Sequence, residues 1–237
     1  MEIDFVIEKF ILVTAIFAIS LVIAMYSTYA ERKVAAFLQD RLGPDRAGPF
    51  GLLQPLADGV KMFMKEEIIP ANSNKWLFVV GPGLAMLCAC IGTAVIPWGQ
   101  DMMVGDRLVK LQVTDINVGL LYIFGVISLG VYGVMIGGWA SNNKYSLLSS
   151  IRAASQNISY EIGMGLSIIA LLLVTNSLSL REIVEQQHEW RWNVLYQPLG
   201  FIIFMVCAFA ETNRAPFDLP ECEAELIGGY TIEYSSM

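Results

Sequence analysis

The residues best suited to chemistry form an acidic segment directly after the last long apolar run of the chain. Its members, with Arg214 as the only base among them, are Glu211, Asp218, Glu221, Glu223 and Glu225. Carboxylates packed this densely repel one another and resist ionising together. Groups that titrate together at the edge of a bilayer suit proton handling, whereas a solvated acidic loop is the simpler alternative.

A second candidate is Glu161, the single acid inside an apolar stretch of the chain. A charged side chain at mid-bilayer is costly, so it must face the interior of a helix bundle or water. Asn157 lies one helical turn before it on the same face, from where its side chain could hydrogen-bond to Glu161. Acids inside a membrane usually serve transport, and the alternative is a neutral packing residue. Together with the acidic segment, Glu161 favours a chain of carboxylates from the bilayer core to the cytoplasmic edge.

The composition places the chain in a membrane. Of its 237 residues, 55% are hydrophobic and only 16% are charged, against roughly a quarter charged in soluble domains. The net charge of −7 argues against binding to nucleic acid. The four cysteines lack a Cys-x-x-Cys pair and His188 is the only histidine, so we expect no metal or haem site. The chain is therefore predicted to hold no redox centre of its own.

Five charge-poor stretches are long enough to cross a bilayer as helices. They are residues 10–30, 76–98, 116–140, 153–175 and 194–210. We predict an all-α polytopic membrane protein, a single membrane domain over residues 1–237 with an acidic cytoplasmic loop at 211–237. The acidic N-terminus is unlike a signal peptide, so the first span is expected to be permanent. Basic residues concentrate in the first and third loops, which predicts that the N-terminus lies outside.

The first loop contains a helical pattern that is too polar to span. Apolar residues recur at helical spacing over 52–65, while Asp58, Lys61 and Lys65 share another face. This predicts an amphipathic helix on the cytoplasmic interface. It serves either as a surface anchor or as the floor of an entrance for a lipid-soluble substrate.

Charged residues near this helix have two interpretations each. Glu31, Arg32 and Lys33 are expected to end the first span, although Glu31 could point back into the protein. Arg41 belongs to a turn-rich loop that docks an acidic partner or a polar headgroup, or is simply solvated.

Glycines mark the third span. Gly133 and Gly137 form a small-xxx-small pair, which predicts close helix packing. The stretch Gly81-Pro82-Gly83 is not a phosphate loop, because no strand precedes it and no Lys-Ser/Thr follows.

Three separated stretches carry a resemblance to a known family. They are Ala30-Glu31-Arg32-Lys33 through residues 48–58, Trp139-Ala140-Ser141-Asn142-Asn143 through Ile158-Ser159-Tyr160-Glu161, and residues 211–234. They resemble the H subunit of bacterial respiratory complex I over nearly the whole chain. The resemblance implies a multi-pass subunit of a proton-pumping NADH:quinone oxidoreductase in the bacterial inner (plasma) membrane.

The resemblance also implies roles for partners and residues. This subunit would form the tunnel through which ubiquinone or menaquinone reaches neighbouring soluble subunits that use NADH, FMN and iron–sulfur clusters. Positions near the quinone tunnel would be Glu31, Arg32, Arg41, Asp58, Arg214 and Phe217. The acidic path towards antiporter-like membrane subunits would comprise Glu161, Glu211, Asp218, Glu221, Glu223, Glu225 and Glu233.

The chain departs from the family at two points. Cys222 stands where relatives usually carry Gly or Ala, and the family usually has about eight spans, so the last three are expected to be missing. Two other functions stay open: the equivalent subunit of a membrane-bound hydrogenase or F420-type dehydrogenase, and an independent secondary ion carrier. A purely structural anchor would leave Glu161 without a role.

Overall fold

The computed structural model describes residues 2–104, 107–188, 190–214, 216–220 and 228–235. The chain divides into two compact units, Met1–Ile68 with Tyr234–Met237 and Ile69–Glu233. The fold is all-α, as predicted, and the protein is a polytopic membrane protein. Within the described residues, four helices are long and apolar enough to cross a membrane.

The first unit consists of a long helix and a short one. Helix α1 spans Glu2–Leu38, and α2 spans Gln54–Phe63 after a 3-10 turn at Pro49–Gly51. Pro55 lies in the first turn of α2, where a missing N–H costs no hydrogen bond. The Tyr29 hydroxyl donates to the Phe50 carbonyl at 2.6 Å and so ties the turn to α1.

The second unit contains the remaining helices and a small hairpin. The long helices are α3 at Lys75–Gly92, α4 at Gly119–Ala140 and α5 at Lys144–Thr175. The shorter helices are α6 at Leu180–Glu185, α7 at Asn193–Tyr196 and α8 at Pro198–Glu211. Strands β1 (Met102–Val104) and β2 (Arg107–Val109) pair antiparallel, with Met103 opposite Leu108.

Helices α3 and α4 touch through glycines. A Cβ on Gly81 would lie 2.8 Å from the Gly137 Cα, and a Cβ on Gly133 would lie 2.8 Å from the Gly81 carbonyl oxygen. The close packing predicted from Gly133 and Gly137 is therefore confirmed. Gly81-Pro82-Gly83 lies inside α3, so these residues serve helix packing.

We expect Gly81→Ala to destabilise the protein by about 1–3 kcal/mol, because the added methyl group overlaps the α4 backbone and must push the helices apart. The measurement is the thermal unfolding midpoint in detergent. Gly83→Ala is the matched control, since nothing lies within 4 Å of its added Cβ. Equal midpoints for the two variants would contradict the packing argument.

Helix ends differ from the predicted span ends at several places. The charged residues 31–33 do not end α1, which continues to Leu38. Helix α5 begins at Lys144, so the third loop is much shorter than predicted. The predicted span 194–210 is broken at Gln197, where the backbone leaves the helical region before Pro198. Charge marks where a helix leaves hydrocarbon, whereas hydrogen bonding and proline decide where it ends.

Candidate functional site

Glu161 lies on α5, and its carboxylate contacts Ser128 on α4. The Ser128 hydroxyl contacts the Glu161 Oε1 atom within hydrogen-bond distance. The same hydroxyl oxygen lies 2.8 Å from the Phe124 carbonyl oxygen. Because a hydroxyl has one proton, Ser128 can donate to only one of these acceptors at a time.

Glu211 is the last residue of α8, not the first residue of a loop as predicted. Its side chain is close enough to Glu161 for the two carboxylates to repel each other. The Glu211 Oε2 atom is buried and has no hydrogen-bond partner among the described residues. Helix α8 has only 14 residues, about 21 Å, so its end does not reach across a hydrocarbon core of about 30 Å. The structure thus pairs two acids that the sequence separates by 50 positions.

A cavity of about 450 Å³ lies beside Glu211. Its walls are mainly apolar side chains of α3 and α4, and its polar lining includes Asn157, Glu211 and Asn213. One oxygen of each of these three residues is buried and lacks a hydrogen-bond partner among the described residues. The described hydrogen bond of Glu161 is to Ser128 on α4, and the Oδ1 atom of Asn157 has no partner among the described residues. Asn157 lines the cavity instead.

Gln156 holds the segment that follows α8. Its amide Nε2 atom donates to the Phe217 carbonyl at 2.9 Å and lies 3.4 Å from the Ala210 carbonyl oxygen. The Phe217 ring packs edge-on against the Tyr160 ring, with 5.0 Å between centroids. Through these contacts α5 fixes both the end of α8 and the position of Phe217.

The first turns of α5 hold a second part of the C-terminal segment. The Ser146 hydroxyl donates to the Tyr230 carbonyl at 2.9 Å, and the Ser149 hydroxyl accepts from the Gly229 N–H at 3.2 Å. The Asn143 amide donates to the Glu233 carboxylate at 2.7 Å. Glu233, a predicted member of the acidic path, is therefore anchored where α5 begins.

In the first unit, the structure brings Arg32 and Asp58 together. The Arg32 guanidinium donates to the Asp58 carboxylate at 2.6 Å, and this bond holds the pKa of Asp58 below its ordinary value. Gln54 also donates to Asp58, at 3.2 Å. Glu31 is exposed on α1, and Arg41 donates to the Gln39 side chain at 2.7 Å. The Arg32–Asp58 pair thus joins the α1 helix to the amphipathic α2 helix.

The remaining predicted site residues lie in the segment after α8. Asp218 is half-buried next to Phe217, and Arg214 is exposed. Glu221, Cys222, Glu223 and Glu225 lie outside the described residues. Across the described ranges, no group of three or more His, Cys, Asp or Glu side chains is placed to hold a metal ion.

Sequence reasoning missed the polar residues that position the acids. Ser128, Gln156, Asn213 and Asn143 each contact or border a predicted site residue. The available signal was the row of polar residues along α5, since polar side chains in membrane helices face other helices. Their partners could not be predicted, because each lies on a different element.

Comparison with known proteins gives one consistent result. The family model described as NADH dehydrogenase matches residues 10–237. An H subunit of the NADH-quinone oxidoreductase of Cytophaga hutchinsonii is 71% identical over 235 residues, which are 99% of this chain and 69% of that protein. The corresponding H subunit of Flavobacterium johnsoniae is 63% identical over 237 residues, covering 100% of this chain and 68% of that protein. An H subunit of Geobacter metallireducens is 49% identical over 236 residues, covering 95% of this chain and 68% of that protein.

Proposed function

We propose a function from one premise: this chain belongs to the NADH dehydrogenase family, as a membrane subunit of the NADH-quinone oxidoreductase called respiratory complex I. In our proposal it forms the access path for quinone and the acidic link between quinone reduction and proton pumping. The observation that carries the proposal is the pair of interior carboxylates, Glu161 and Glu211, on two neighbouring helices.

The acid pair supports a role in coupling. Two carboxylates that repel each other in a poorly hydrated interior respond strongly to any new charge nearby. A change of one pKa unit corresponds to about 1.4 kcal/mol, and moving one charge against 100 mV costs about 2.3 kcal/mol. Shifts of a couple of units at a few such groups therefore match the energy of pumping. The path would continue through Asp218, Glu221, Glu223, Glu225 and Glu233.

The quinone side of the proposal rests on the first unit and on the segment after α8. A lipid-soluble quinone needs an apolar path for its tail and a few fixed polar groups for its headgroup. The Arg32–Asp58 pair beside α2 supplies fixed polar groups, with Glu31 and Arg41 on the same unit. Arg214 and Phe217 would contribute from the segment that Gln156 holds.

Partners and orientation follow from the proposal. The chain would join soluble subunits that use NADH, FMN and iron–sulfur clusters to antiporter-like membrane subunits, in the bacterial inner membrane. The electron-transfer chemistry would belong to those soluble subunits. The first loop carries Arg41, Arg46, Lys61, Lys65 and Lys75, and such loops stay in the cytoplasm. The N-terminus would then lie outside.

The test is purification of the tagged chain from its native membrane in mild detergent. We expect a large assembly that contains flavin and iron–sulfur clusters and reduces quinone with NADH. Reconstituted in liposomes, it should move protons as NADH is oxidised. Nickel in the assembly would favour the hydrogenase alternative. Ion transport by the purified chain alone would favour the independent carrier, and either result would overturn the proposal.

A further inference from the structure

We infer that the cavity beside Glu211 is a binding site for a monovalent cation, with Na⁺ as the ion that it fits. Three residues that line it each carry a buried oxygen without a hydrogen-bond partner among the described residues: Asn157 Oδ1, Glu211 Oε2 and Asn213 Oδ1. This inference goes beyond the proposed function, because it assigns a ligand to the cavity itself.

The type of ligand follows from the chemistry of the lining. A carboxylate and two amide oxygens are acceptors, so they need hydrogen-bond donors or a positive charge. Hard cations prefer oxygen ligands of this kind. The three residues carry one formal negative charge between them, which a monovalent ion neutralises and a divalent ion exceeds. Bound there, the ion would also reduce the repulsion between Glu211 and Glu161.

The local backbone holds the two asparagines that line the cavity. Asn157 is only 6% exposed and follows Gln156, whose amide is held by the Phe217 carbonyl. Asn213 adopts a left-handed conformation, with φ 53°, immediately after α8. Asparagine tolerates this conformation better than most residues. Two asparagine amides thus line the same cavity as Glu211, the last residue of α8.

The apolar side of the cavity strengthens binding. Cys88 on α3 and Ile127 and Val131 on α4 form part of its wall. Apolar walls lower the effective dielectric constant, so attraction between an ion and the Glu211 carboxylate is stronger than in bulk water. A volume of about 450 Å³ leaves room for the ion to keep some of its water.

The experiment measures ²²Na⁺ binding to the purified enzyme that contains this chain, in Na⁺-free buffer at mildly alkaline pH. Asn157→Leu removes one neutral oxygen and leaves both carboxylates in place. We expect it to weaken one saturable site by about tenfold or more relative to the wild type. Asn157→Asp keeps an oxygen and adds a charge, so it should bind Na⁺ more tightly than the wild type.

Ser155→Ala is the control, because Ser155 is exposed on α5 and its hydroxyl donates to the Ile151 carbonyl of its own helix. It should bind like the wild type. Equal binding by the wild type and Asn157→Leu would overturn the inference, and the cavity would then hold water alone. If the leucine variant fails to assemble, the aspartate variant decides, since binding no tighter than the wild type also overturns it.

Discussion

Replacing Glu161 by glutamine in the assembled enzyme should abolish proton translocation and slow quinone reduction by on the order of tenfold or more, which is a rise of about 1.4 kcal/mol or more in the barrier. Glutamine retains the size of the side chain and can still bond to Ser128, but it cannot take up or release a proton. The measurement combines NADH-driven quinone reduction with acidification of proteoliposomes.

A control from the same helix separates this effect from general damage. Ser159 is exposed, and its hydroxyl bonds to the Ser155 carbonyl of its own helix, so Ser159→Ala should leave both activities unchanged. Normal quinone reduction together with normal pumping in Glu161→Gln would mean that Glu161 carries no essential proton. Loss of assembly in the variant would be visible as loss of co-purifying flavin.

Glu211→Gln tests whether the two acids act as one unit. If both carboxylates act in the same step, the double variant should lose little more activity than either single variant, because the effects of substitutions at residues that act together are strongly non-additive. Independent roles would give effects that add. Comparing the two single variants with the double variant measures the energetic coupling between Glu161 and Glu211, which their mutual repulsion suggests.

The sequence predicted the class of fold because hydrophobic length decides it. Long apolar stretches must be helices in a bilayer, and their number and order follow from the order of residues alone. Helix ends were less predictable. The residues 31–33 are charged, yet the backbone hydrogen bonds of α1 continue to Leu38. Conversely, the predicted span over 194–210 is apolar, yet Pro198 lacks the N–H that would continue α7 into α8.

The acidic residues of the site could be predicted from the sequence, but the side chains that contact them could not. An intramembrane acid is costly enough to identify from sequence alone, as Glu161 illustrates. Its partner Ser128 is 33 positions away on another helix, and no local periodicity relates the two. Asn157 has the helical spacing for a bond to Glu161 and nevertheless lines a cavity. Spacing along one helix shows which side chains could bond to each other, and the packing between helices decides which of these bonds form.

The second large effect is expected from Gln156→Leu. Gln156 is 8% exposed, and its amide donates to the Phe217 carbonyl while lying within reach of the Ala210 carbonyl. Leucine has a similar volume but no donor, so the Phe217 carbonyl loses this partner at a cost of about 1–3 kcal/mol, while the Ala210 carbonyl keeps its bond from the Asn213 N–H. We expect the segment after α8 to detach from α5. The KM for quinone should rise about tenfold or more, since 1.4 kcal/mol corresponds to a factor of ten.

The matched control places the same leucine one position earlier. Ser155→Leu adds an apolar side chain to an exposed position of α5 and removes only a bond to the Ile151 carbonyl of the same helix, so activity and stability should stay near those of the wild type. Limited proteolysis within residues 211–220 provides a readout that is independent of turnover. Faster cleavage in Gln156→Leu with an unchanged KM for quinone would mean that Gln156 holds the segment after α8 but that this segment does not affect quinone binding. Phe217 would then be removed from the proposed quinone path. An unchanged cleavage rate would contradict the role of Gln156 in holding this segment, because the Phe217 carbonyl would then have found another donor.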